Sequence, residues 1–226
     1  INYNISAYQS IVQNMAFQPP FSNTATNTQS PTTALTLQNG LGNEDFLARH
    51  FGANRVMGGL CFICLNRISP GLIEHLDYGY LTIGEFTGPP KSRTRAVVRE
   101  FQESGVACRV VDNLMQERWG KLVWNIPFNG LTIAAGGITT EEILHDDSLH
   151  SAALALMNEV IEGAKSCGYN LPADVAVEHM KRTETMGAYK PSTLLDFEAG
   201  RALERRAGGR HLDRRPARHQ FHPHAV

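Results

Sequence analysis

Between Arg118 and Ile133 the chain reads RWGKLVWNIPFNGLTI, an apolar run interrupted by Lys121, Asn125 and Asn129 at steps of four. On an α-helix, steps of four drift by only about 40°, so one ammonium and two amides project from a single face. Burying such groups costs on the order of a few kcal/mol each unless something satisfies them. The strip therefore implies a partner, either a neighbouring element or a bound polar ligand. Pro127 lies between the two amides and removes a backbone donor, which predicts a bend.

Elsewhere the pattern alternates. Thr33-Ala34-Leu35-Thr36 is strand-like, and 44–51 has helical spacing through Phe46, Leu47 and Phe51. Residues 57–66 and 80–84 predict strands, 94–103 a helix and 107–111 a short closing strand. Such alternation predicts an α/β unit with a substantially parallel sheet. From Asp112 onward the pattern is helical. Thr139 and Glu142 form a capping box, 148–167 carries Ala152, Leu156 and Val160 before Gly168, and 173–186 ends at Gly187. The expected division is 1–111, an incomplete cofactor-type domain; 112–204, a helical domain; and 205–226, an aberrant tail predicted to be disordered.

Composition narrows the class. With 226 residues, 42% apolar and 19% charged, the chain can bury a substantial core. A formal net charge of −1 gives no overall pull toward nucleic acid or anionic membrane. No apolar run of about 18 residues predicts a membrane span, and no signal-peptide pattern is visible. The chain opens on Ile1 rather than Met, which suggests a fragment or an incomplete gene model. Four cysteines suit a reducing, cytoplasmic setting. Cys61 and Cys64 form C-x-x-C, yet an odd spacing on a strand points the two sulfurs to opposite faces, so two packed thiols are expected rather than a redox or metal site.

The two ends differ from the middle. Residues 1–43 hold no charged side chain, and 19–31 has loop composition. Residues 205–226 hold six Arg, one Asp and four of the nine His, without apolar periodicity. A reading-frame shift produces such a switch; a genuine basic extension is the alternative.

Three blocks carry candidate chemistry: Leu37-Gln38-Asn39-Gly40-Leu41-Gly42-Asn43, the Lys121–Asn125–Asn129 helix, and Lys190-Pro191-Ser192-Thr193-Leu194-Leu195-Asp196 followed by Glu204. Asn39-Gly40 is a strong hairpin signal, but the helix-like segment after it favours a strand–loop–helix crossover, placed where open α/β sheets bind ligands. Gly40-x-Gly42 is not a pyrophosphate fingerprint, because Asp45 stands at the third glycine position. In order and spacing the blocks resemble the ketopantoate reductase (2-dehydropantoate 2-reductase) family, over about residues 7–204.

The resemblance implies a partial Rossmann-type α/β domain followed by an all-α domain of the 6-phosphogluconate dehydrogenase C-terminal kind. It implies NADPH as cofactor, a small 2-keto acid as substrate and a homodimer as an available assembly, with no nucleic-acid or membrane partner and no metal. Asn39 and Gly40 would lie near the nicotinamide ribose. Lys121 would transfer the proton, and Glu204 would sit beside the substrate hydroxyl. Asn125, Asn129, Ser192 and Asp196 would serve substrate binding. Plainer roles stand beside these: a solvated lysine, amides acting as interhelical glue, Ser192 as a helix N-cap, and Asp196 fixing local geometry.

The chain departs from the family in lacking the G-x-G-x-x-G opening unit, and in Ser6 where a cofactor-holding lysine is usual. Weak NADPH binding by this chain alone is therefore expected. Rival readings are a paralogue acting on another branched 2-keto acid, a catalytically dead remnant keeping helical contacts, and a basic-tail binder of nucleic acid or metal through His219, His222 and His224.

Overall fold

The computed structural model describes Ala16–Phe17 and residues 32–201, with backbone only at Ala16–Phe17, 66–68 and 76–78. The expectations for Ser6, the 19–31 loop, Glu204 and the 205–226 tail lie outside the described residues.

Residues up to Val110 build a five-stranded sheet in the order β1-β2-β3-β4-β5. These strands are Ala16–Phe17, Thr33–Thr36, Val56–Ser69, Leu72–Glu85 and Ala107–Val110. Pairing is parallel at β2/β3 and β4/β5, and antiparallel at β1/β2 and β3/β4. Each parallel pair needs a crossover, supplied by α1 (Asn43–Phe51) and α2 (Ser92–Glu103). The crossover after Asn39 is thus the expected strand–loop–helix, with Gly40 and Gly42 at φ 86° and 89° making the turn that side-chain-bearing residues resist.

The strand expected at 80–84 is only the end of a longer one. β3 and β4 form a 14-residue-per-strand hairpin about Pro70 and Gly71. Polar residues such as Glu74 and His75 hide the outer part of β4 from an apolar count, whereas the backbone ladder carries it. Register shifts at Phe62/Ile63 and Cys64/Leu65 twist the hairpin where it meets the helical half.

From Leu114 the described chain is helical: α3 (Leu114–Ala134), α4 (Thr140–His145), α5 (Asp147–Ser166), α6 (Val175–Glu184) and α7 (Ser192–Glu198). The capping box at α4 is present, with Thr139 N donating to Glu142 Oε2 at 2.7 Å and Glu142 N to Thr139 Oγ1 at 3.3 Å. α5 buries Ala153, Met157, Val160 and Ala164, so its inward stripe runs one position beyond the expected Ala152 and Leu156. Val123 and Phe128 of α3 pack with Ile143, Met157 and Met180 in the helical core, while Leu37, Met57, Ile83 and Val98 form the sheet core. α3 touches both halves, and no described helix is long and apolar enough to cross a membrane.

Candidate active site

Three elements converge on a cavity of about 280 Å³ between the sheet and the helices. The turn after β2 contributes Asn39, the twisted part of β3 contributes residues 61–65, and α3 contributes Lys121, Trp124, Asn125 and Asn129. His179, Arg182, Met186, Tyr189 and Ser192 close the far side. The polar strip of α3 therefore faces a cavity, because its apolar residues are spent on the helical core.

Lys121 Nζ donates to Asn39 Oδ1 at 2.9 Å and to the Cys61 carbonyl at 2.7 Å. It also stands 5.2 Å from the centroid of the Phe62 ring, within reach of a cation–π attraction. Phe62 in turn stacks on Tyr80 at 4.7 Å, and Arg182 lies close enough to the Tyr80 hydroxyl to act on its pKa. Burial pushes the Tyr80 hydroxyl up, against the pull of Arg182 and Arg109. Lys121 thus faces one ring of an aromatic pair whose other ring, Tyr80, carries the hydroxyl on which Arg182 acts. No Asp or Glu lines the cavity among the described residues, so its field favours an anion.

Neither Asn125 nor Asn129 has a side-chain hydrogen bond among the described residues, and both are half-buried. Their amides are open to a ligand or water. Trp124 beside them stacks on Phe128 at 5.1 Å and donates to Thr183 Oγ1 at 2.8 Å, which fixes one wall. His179 Nε2 meets the Gly120 carbonyl at 2.9 Å. Burial holds its ring below the ordinary histidine pKa, and Arg182 adds to that, although the carbonyl contact opposes it. Burial raises the Tyr189 hydroxyl, with Cys64 adding to the shift.

The cysteines are free thiols. Cys61 Sγ lies 3.9 Å from the Leu37 carbonyl in the sheet half, whereas Cys64 pairs with Tyr189 from the helical half. Burial pushes the Cys61 thiol up, against the pull of Lys121 and Arg118, so it is not poised as a thiolate.

The remaining expected residues divide. Ser192 lines the cavity, but as the first residue of α7; Pro191 occupies the cap position, so the N-cap role is corrected. Proline's fixed φ suits that boundary, and Ser192 makes no capping bond. Asp196 accepts from Arg201 Nε at 2.6 Å and does not line the cavity, in keeping with a local role. Gly40 offers its carbonyl to Arg118 at 3.3 Å.

Sequence reasoning passed over Glu44, Arg118 and Arg182. Arg118 carried a signal, a charge three positions before Lys121 in an apolar helix. Arg182 carried none, because Lys181-Arg182 matches any solvated helix face.

Two family models match this chain, "Ketopantoate reductase PanE/ApbA" over residues 14–88 and "Ketopantoate reductase PanE/ApbA C terminal" over 113–208. A 2-dehydropantoate 2-reductase of Nostoc sp. is 37% identical over 175 residues, which is 75% of this chain and 54% of that protein. The solved 2-dehydropantoate 2-reductase of Geobacter metallireducens GS-15 is 38% identical with a TM-score of 0.75, covering 88% of this chain and 62% of that one. A D-mandelate dehydrogenase solved with NADH shares the fold at a TM-score of 0.72 and 20% identity, covering 78% of this chain and 60% of that one. The chain spans about half the length of the curated relatives it matches.

Proposed function

Because the chain belongs to the ketopantoate reductase family, we propose that it serves the NADPH-dependent reduction of 2-dehydropantoate to pantoate, a step toward pantothenate. The observation that carries this reading is the anchored Lys121 ammonium facing a cavity that no described Asp or Glu lines, beside two amides open among the described residues. Reducing a 2-keto acid places a hydride on the carbonyl carbon and a proton on the oxygen. Lys121 holds that proton. Asn39 Oδ1 and the Cys61 carbonyl hold the amine in place and aim it.

In the substrate complex the ammonium donates to the keto oxygen, polarising it, and then neutralises the alkoxide as it forms. General acids of this kind contribute roughly 10²–10⁴-fold in rate. Asn125 and Asn129 offer donors and acceptors to the hydroxyl and carboxylate oxygens, and Ser192 offers its hydroxyl to the carboxylate. Trp124, Phe62 and Tyr189 limit water at the reacting carbon.

Asn39 fits a cofactor role: it is exposed on the turn at the carboxyl end of β2, a strand paired in parallel with β3. Asn39 and Gly40 would hold the nicotinamide end of NADPH, which when bound supplies the hydride. Self-association through the helical half and Glu204 beside the substrate hydroxyl belong to the same proposal.

The test is calorimetric binding of 2-dehydropantoate by this chain, and consumption of NADPH with it in a version carrying the family's G-x-G-x-x-G opening unit. Reduction of other branched 2-keto acids in its place would move the reading to a paralogue. Absence of saturable binding by any 2-keto acid would overturn it.

A further inference from the structure

Lys121 is not the first residue of α3 to reach across to the sheet. Three positions earlier, Arg118 is only 3% exposed, and its guanidinium turns toward the turn after β2. Nη1 donates to the carbonyls of Gln38 at 2.9 Å and Gly40 at 3.3 Å. Nη2 donates to the Gly59 carbonyl at 3.2 Å. Nε donates to Glu44 Oε1 at 2.9 Å, and Nη2 meets the same oxygen. Gln38 and Gly40 are the two residues that flank Asn39.

Glu44 is fully buried in the first turn of α1, where the helix dipole favours an anion. The sheet makes room for it at Gly58. A Cβ there would collide with Glu44 Oε1 and lie 2.6 Å from Leu114 Cδ2. Stability alone is a poor explanation for this arrangement, since replacing a buried ion pair with apolar residues is often neutral or stabilising. A planar fork of donors does something an apolar pair cannot: it holds several carbonyls at once in fixed directions.

We infer that Arg118, itself fixed by Glu44, is a positioning residue that locks the 38–40 turn so that Asn39 Oδ1 meets Lys121 Nζ. Asn39 is exposed, and its carbonyl accepts from Asn43 Nδ2 at 2.9 Å. Its side-chain bond with Lys121 does not by itself order the turn, because a hydrogen bond to a charged group contributes about 1.5–3 kcal/mol against roughly 1–2 kcal/mol for each of the three backbone residues fixed. Pinning the carbonyl on either side of Asn39 removes that freedom beforehand. The same helix then delivers both the clamp and, one turn on, the ammonium that uses it. What Lys121 does chemically rests on the function proposed above; the clamp is a geometric statement that can be measured without turnover.

The experiment uses the nitrogen-15-labelled 226-residue chain and reads the side-chain signals of Lys121 Nζ and Asn39 Nδ2, identified from Lys121→Ala and Asn39→Ala spectra. Two variants are compared. Arg118→Lys keeps the charge beside Glu44 but loses the fork. Glu44→Leu with Arg118→Met replaces the pair by apolar groups and leaves no unpaired charge. Both should stay folded, with the Lys121 ammonium protons exchanging with water roughly tenfold faster, the equivalent of one lost hydrogen bond, and with the Asn39 signal moved to that of a free amide.

Folded variants with both signals unchanged would overturn the inference. So would unfolding of both variants, since the pair would then be a requirement of the fold. Adding 2-dehydropantoate to the parent separates the two readings: a Lys121 signal that ignores it sinks the proposed substrate role and leaves the clamp result standing.

Discussion

Lys121 Nζ and Asn39 Oδ1 lie 2.9 Å apart although 82 positions separate them in the chain. That contact joins the helical half to the turn leaving β2, and both residues line the same cavity. The amide oxygen and the backbone carbonyl of Cys61 together hold the cation in place.

In a version with the missing opening unit restored and a native final helix, Lys121→Ala should therefore lower kcat for 2-dehydropantoate by roughly 10²-fold or more, with a much smaller change in cofactor affinity. The ammonium acts mainly on charge that develops in the transition state, so its loss falls on kcat. Steady-state rates of NADPH consumption check this. Equal kcat in variant and parent would remove Lys121 from the mechanism.

Arg182 gives a second expectation. It lines the same cavity, which no described Asp or Glu lines, and acts on the nearby Tyr80 hydroxyl. Arg182→Gln should weaken 2-keto acid binding several-fold, Arg182→Lys less so, and the loss should shrink as salt is added because the residue is exposed. Calorimetry with a carboxylate ligand and its neutral amide analogue measures it. Equal effects on both ligands would show that Arg182 does not sense charge.

Much of this site was legible in the residues. The period of four in Lys121, Asn125 and Asn129 fixed one face of one helix, and helix geometry does the rest once its apolar residues find a core. The Asn39 turn was legible because a glycine-rich segment between a strand and a helix has few conformations open to it. The β3–β4 hairpin was not, since its outer half is held by backbone hydrogen bonds that leave no apolar alternation. Arg118 and Glu44 escaped for a related reason: a buried ion pair spans elements distant in sequence, Glu44 alone does not differ from a solvated charge, and the signal of Arg118 in an apolar helix does not name its partner. The inward stripe of α5 shifted by one position because small residues such as Ala152 and Ala153 satisfy either register.

Glu85 sets a pH expectation for stability. Its carboxylate is almost fully buried and accepts from Arg93 Nε at 2.9 Å and Thr94 Oγ1 at 2.6 Å, with Lys91 Nζ at 3.5 Å. Burial alone would raise its pKa, but these hydrogen bonds and charges outweigh it and hold the carboxyl below the ordinary glutamate value. A depressed folded pKa contributes stability that is present above the unfolded value, about 4.3, and is lost as pH falls through the folded one. Glu85→Gln should cost about 1–3 kcal/mol at neutral pH and flatten the acid limb of a plot of melting temperature against pH. An acid limb as steep as the parent's would assign that limb to other carboxylates.

The two amides of α3 decide whether the polar strip serves a ligand or the fold. Asn125 and Asn129 face the cavity with no side-chain partner among the described residues, so removing either strands no buried group. Water can satisfy an amide in an empty, open cavity, and a substrate oxygen can replace that water. Asn125→Ala and Asn129→Ala should therefore weaken 2-dehydropantoate binding roughly five- to tenfold each, the equivalent of about one hydrogen bond, and leave the melting temperature nearly unchanged. Interhelical glue would behave in the opposite way, because its loss leaves a partner unsatisfied at about 1–3 kcal/mol. Calorimetric titration and thermal melting of the same samples separate the two outcomes. A fall of several degrees in melting temperature, with affinity unaltered, would return both residues to the core.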